Sequence, residues 1–231
     1  MVEIDILFES GPCLVVCKPP GLPTQAPPGI ESLESRIRAF LKQRDHPPHD
    51  VYLGIPHRLD RPASGAMIFA TRRRAAHKLS KQFENRTIKK LYWAYAAGRV
   101  DPPVGTWQDH LRKIHGKPQA EVVAADHPEG RLAVLHYRTL AVTEWGSWLE
   151  IELETGRTHQ VRIQAASRGY PLLGDFQYGS TTPFGPQYDD ERLRAIALHA
   201  RELEFEHTVG KQRVRVTAPT PEFWPECGFL G

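Results

Sequence analysis

Short apolar runs, broken by proline- and glycine-rich turns and joined by only a few helical stretches, constrain this 231-residue chain more than any other feature. Strands are expected at 2–8, 13–18, 66–70, 91–97, 131–143, 147–154, 197–206 and 212–217. Residues 18–28 carry Pro19, Pro20, Gly21, Pro23, Pro27 and Pro28. They must form a loop, because proline cannot donate to a central ladder. A second loop, rich in proline and histidine, is expected at 46–50. Ser32 reads as an N-cap, with Leu33, Ile37, Phe40 and Leu41 following at helical spacing. Thr71 is expected to cap a second helix that turns Ala75, Ala76, Leu79 and Phe83 inward. A third runs over 158–167 and stops at Gly169. Residues 144–147 suit a hairpin turn. Strands in runs, without regular βαβ alternation, define an α+β chain with a mixed, mainly antiparallel sheet flanked by a few helices. One domain over 1–231 is expected.

Composition narrows the function classes. Hydrophobic residues make up 40% and charged residues 25%, as in ordinary globular proteins. No apolar run approaches the roughly 20 residues of a membrane helix. The acidic, alternating N-terminus lacks a basic n-region, so a cytoplasmic protein is expected. The sparse cysteines, Cys13, Cys17 and Cys227, argue against a disulfide framework, and Cys13 and Cys17 read as core hydrophobes. Without a second cysteine pair they make no zinc site, and His46 and His49 are separated by two prolines. No metal is expected. Net charge is only +3, but residues 72–90 hold eight basic residues against one acid, Glu84. Such a stripe suits a solvated helix face or a polyphosphate partner.

Three segments can carry chemistry. In the first, His57, Arg58 and Arg61 surround Asp60 before Pro62, Ser64 and Gly65. By itself this is a catalytic loop or an ordinary turn with a salt bridge. The second, Thr155 to Arg162, sets Gly156 before a donor-rich helix start of Arg157, Thr158, His159 and Gln160. It suits an anion or an ordinary capped helix. The third, Lys89 to Tyr95, brings Tyr92 and Trp93 to the end of the basic stripe, for stacking or for core packing.

Together, these segments resemble the RluA family of pseudouridine synthases. The resemblance rests on His57-Arg58-Leu59-Asp60 with Ser64-Gly65, on Lys90-x-Tyr92-x-Ala94, and on Gly156 to Arg162 with Gly174-Asp175. Leu198-His199-Ala200 and the opening Val15 to Leu22 complete it, so matches in order span residues 7–207. The resemblance implies an isomerase of uridine in ribosomal or transfer RNA. A monomer without cofactor is expected, and, because the motifs begin almost at once, no separate N-terminal RNA-binding module of the kind many relatives carry. The resemblance casts Asp60 as the catalytic aspartate, Tyr92 as the tyrosine stacked on the target base and Arg162 as the basic partner of Asp60. Arg58 would take the place of the flipped uridine and Leu198 would line the pocket. His57, Arg157, His159 and Gln160 join the RNA-binding set. Ala63, Cys17, Gln164 and Tyr170 depart from the usual residues and bear on substrate identity more than on catalysis.

The chemistry fits. Isomerisation breaks the bond from ribose C1′ to uracil N1 and joins C1′ to C5, with no redox change. A flipped base exposes that bond, and a carboxylate can stabilise charge at C1′, attack it, or accept a proton. The rivals are a base-flipping hydrolase, which would release uracil, and a non-catalytic RNA-binding or ribosome-assembly module of the same fold.

Overall fold

The structure, a computed structural model, describes residues 4–46 and 48–225. Cys227, Pro47 of the 46–50 loop and the first two residues of the expected 2–8 strand lie outside them. Ten strands and three α-helices follow one another among the described residues. In order these are β1 (Ile6–Ser10), β2 (Cys13–Lys18), α1 (Leu33–Asp45), β3 (Ser64–Ala70), α2 (Arg73–Glu84), β4 (Lys89–Ala96), β5 (Val104–Lys113) and β6 (Ala120–Val123). Then come β7 (Arg131–Thr143), β8 (Gly146–Leu153), α3 (Gln160–Ala166), β9 (Leu198–Glu206) and β10 (Arg213–Thr217). The α+β, mainly antiparallel class expected from sequence is the class observed.

Contacts divide the chain into two compact units: Met1–Lys90 with Ala200–Pro221, and Leu91–His199 with Glu222–Gly231. In the first unit β2 pairs antiparallel with β1 and with β3, placing Val16 opposite Met67 and Leu14 opposite Phe69. Every residue of β3 is buried, which explains why it reads as an apolar run and not as an alternation. One face packs Val15, Ile68 and Phe205 under Ala75 and Leu79 of α2. The opposite face of α2 keeps Arg72, Arg74 and Lys81 in solvent. α1 begins as expected at Ser32, whose hydroxyl accepts from the Ser35 amide in a capping box, and buries Leu33, Ile37 and Leu41. α2 starts one residue later than expected. Its N-cap is Arg72, with no side-chain cap, and the Thr71 amide instead bonds the Pro12 carbonyl.

In the second unit β8 pairs with β4 and β7, β7 pairs with β5, and β5 pairs with β6, all antiparallel. Tyr95, Trp148, Leu173, Phe184 and Trp224 form one cluster, and Leu111, Ala133 and Ile163 a second one beneath α3. β5 and β6 escaped the sequence reading. In β5 only Trp107 and Leu111 are buried, so neither strand alternation nor an apolar run marks it. Its pairing with β7 over eight residues makes it a strand. α3 is shorter than the expected 158–167, because His159 takes the left-handed conformation at φ 54° and starts the helix at Gln160.

Candidate active site

In the first unit the loop carrying Asp60 is pinned on both sides of that residue. The Thr24 hydroxyl donates to the Leu59 carbonyl at 2.9 Å and accepts the Leu59 amide at 3.2 Å. One residue past Asp60, the Arg61 carbonyl accepts the Gly21 amide at 2.8 Å and Lys18 Nζ at 3.0 Å. Lys18 also donates to the carbonyls of Pro19 at 2.8 Å and Leu22 at 2.7 Å, which engages all three ammonium protons. It is fully buried. Burial pushes its pKa down to about 7, against the opposing pull of the Asp60 charge. Within the loop the Ala63 amide closes a turn onto the Asp60 carbonyl at 3.1 Å. The proline-rich stretch after β2 is therefore the scaffold that holds Leu59, Asp60 and Arg61 in place. Sequence reading passed over Lys18 and Thr24; the available signal was a lysine closing a buried strand.

Other residues of this loop divide by exposure. Arg58 is exposed and Asp60 half-buried. His57 turns inward. Its Nε2 accepts the Ile68 amide at 3.0 Å, and its ring stacks on Phe83 with centroids 4.5 Å apart. Desolvation, assisted by the Lys90 charge, pushes its pKa down to about 3, so it stays neutral as an acceptor must. The ring is committed within the protein as a strut between loop, β3 and α2.

The second unit carries Tyr92, Arg162 and Leu198. Tyr92 is a buried residue of β4 opposite Ile151 of β8, and Leu198 is buried at the start of β9. Arg162 is 3% exposed and binds Asp175 in a bidentate ion pair, Nε to Oδ2 at 2.6 Å and Nη2 to Oδ1 at 2.8 Å. Nη2 also donates to Gln177 at 2.7 Å, and the guanidinium lies 4.9 Å from the centre of the Tyr178 ring. A buried arginine with this support has little rotational freedom. Gly174-Asp175 was visible as a motif, but nothing local in the sequence joins Asp175 to Arg162.

Residues before α3 serve the fold as well as any ligand. The Gln160 side-chain Oε1 accepts from the Arg157 amide at 3.0 Å and the Thr155 hydroxyl at 2.7 Å, and its Nε2 donates to the Val134 carbonyl at 3.0 Å. Arg157 Nε donates to the Leu132 carbonyl at 2.9 Å. His159 Nδ1 meets the Tyr178 hydroxyl at 2.8 Å. Gln164 is fully buried and bonds Trp107 and Asp109 of β5. Among the described residues no cluster of three or more metal-ligating side chains occurs, and no helix is long and apolar enough to cross a membrane.

Comparison with known proteins agrees with this architecture. A family model described as RNA pseudouridylate synthase matches residues 12–167. An uncharacterized RNA pseudouridine synthase of Synechocystis is 34% identical over 226 residues, covering 95% of this chain and 66% of its own length. The ribosomal large subunit pseudouridine synthase D of Pseudomonas aeruginosa is 32% identical, covering 96% and 69%. An uncharacterized RNA pseudouridine synthase of Zymomonas mobilis is 33% identical and covers 97% of both chains. This chain thus spans about two thirds of the first two relatives and nearly all of the third. The structure of human RNA pseudouridylate synthase domain containing 4 superposes with a TM-score of 0.77 at 22% identity, over 95% of this chain and 89% of that one. The class is therefore that of RNA-modifying isomerases. Within it, the chain belongs to the RNA pseudouridylate synthase family, in its RluA branch.

Proposed function

We propose that this protein converts specific uridines of ribosomal or transfer RNA to pseudouridine, with Asp60 as its catalytic carboxylate. The observation that supports this best is the double pinning of the Asp60 loop. Thr24 fixes Leu59 and Lys18 fixes Arg61, so the backbone on either side of Asp60 is held in place. Preorganisation of that kind is what a carboxylate acting at an anomeric carbon requires. The C1′–N1 bond breaks, C1′–C5 forms, C5 loses its proton and N1 ends protonated, so atoms and electrons balance without a cofactor. Arg58, exposed on the same loop, fills the gap left by the flipped base. Tyr92 stacks on the uracil. Arg162, held in direction by Asp175 and Gln177, is the basic member of the catalytic set. Residues 1–231 act as one catalytic domain, in the cytoplasm and as a monomer.

The test is tritium release from RNA labelled at uracil C5. Wild-type protein should release tritium to water from ribosomal or transfer RNA, and Asp60→Ala should release none. Release by Asp60→Ala would remove Asp60 from the chemistry. Tight binding by wild type without release from either RNA would favour a non-catalytic RNA-binding module, and free uracil among the products a hydrolase.

A further inference from the structure

A second feature of the second unit has no part in the chemistry above. The β5–β6 hairpin, the start of β7 and the turn before α3 line a half-open cavity of about 370 Å³. Arg112 and Lys113 of β5, Arg131 of β7 and Arg157 of the turn stand on its walls, with Glu129 the one carboxylate among the lining residues. Two of the four cations are held in fixed directions. Arg112 is ion-paired to Glu121 and Glu129, and Arg157 is anchored through Nε to the Leu132 carbonyl at 2.9 Å. Lys113 and Arg131 are exposed, as is Thr158, whose hydroxyl adds a neutral donor. No aromatic residue lines the cavity, so a base entering it would find no stacking surface. Guanidinium groups and a lysine around an opening of this size are instead matched to phosphate oxygens.

We propose that this cavity binds a phosphodiester of the RNA substrate, and so registers the RNA backbone on the second unit. The inference rests on the isomerase reading for the identity of the RNA, but not for the chemistry of the cavity. The wall is tied to the helix that carries Arg162. The Tyr178 hydroxyl accepts the Ala120 amide of β6 at 2.9 Å and meets His159 at 2.8 Å, and its ring lies under the Arg162 guanidinium. Gln177, which bonds Arg162, also donates to the Pro118 carbonyl of the hairpin at 3.0 Å. A phosphate seated here is thereby held at a fixed offset from Arg162. Being a backbone contact, it orients RNA without reading its sequence.

Lys113→Ala/Arg131→Ala removes two exposed cations that no buried group depends on, and Arg192→Ala, a surface arginine paired with Asp190 outside the cavity, serves as control. Thermal melts check that both variants fold. Filter binding with unmodified transcripts of large-subunit ribosomal RNA and of transfer RNA, from 50 to 300 mM KCl, reads the contact. The double variant should bind both RNAs roughly tenfold more weakly, with the slope of log K against log[KCl] shallower by about 1.5–2. In tritium release its KM should rise about tenfold while kcat stays within about twofold of wild type. A slope and KM equal to those of Arg192→Ala would overturn the proposal even where wild type is active. Binding that responds as expected in a protein that never releases tritium would sustain the cavity and defeat the isomerase reading.

Discussion

Arg162 shows how a buried charge can complicate the reading of a mutation. Its guanidinium is locked to Asp175, a carboxylate only 1% exposed. Arg162→Leu strands that carboxylate and should destabilise the protein by about 3–5 kcal/mol, whatever it also does to Asp60. Urea unfolding of Arg162→Leu and of Arg162→Leu/Asp175→Leu checks this: the double variant should recover part of the loss, and a single variant as stable as wild type would contradict it. His57 makes a second residue-scale prediction. Its pKa is about 3 in the fold against 6.5 as the ordinary value. Between these values the unfolded chain binds the extra proton, so stability is full above about pH 6.5 and falls as pH drops toward 3. By pH 5 the loss amounts to roughly 2 kcal/mol. His57→Gln should flatten this acid limb in unfolding titrations at pH 7 and 5; an unchanged limb would show that His57 does not titrate this way.

Elements explain why certain residue types recur in the motifs. Gly65 lies in β3 at φ 116°, and a Cβ there would meet the Ala200 carbonyl oxygen at 2.3 Å. Gly65 of the Ser64-Gly65 pair that follows the Asp60 loop is thus required by the close approach of β9, apart from any catalytic role. Gly65→Ala meets both backbone strain and a rigid backbone clash. It should cost about 3 kcal/mol and lower Tm by roughly 6–12 °C, and a melt within 2 °C of wild type would show that β9 yields easily. Helices α1 and α2 were legible because the inward residues of each recur at helical spacing. β5 was not, because two buried residues in ten give no period.

At the scale of the whole molecule, net charge says little about RNA and distribution says more. A surplus of +3 is slight, yet α2 presents a row of exposed cations and the hairpin cavity gathers four more. Several phosphate contacts should make log K fall with log[KCl] at a slope of about −3 or steeper, measured on wild type by filter binding. A flat response would argue against an RNA backbone partner altogether. The sequence by itself determined the α+β class, the order of the motifs and the family, because those are written in contiguous residues and in apolar period. Only the tertiary structure decided what holds each motif. Lys18 reaches Arg61 across 43 positions, Thr24 reaches Leu59 across 35, Arg162 reaches Asp175 across 13, and Tyr178 reaches Ala120 across 58. Those bonds exist because chain folding brings separated backbones within 3 Å of a buried donor, which must then be satisfied, and no local pattern records which distant group will satisfy it.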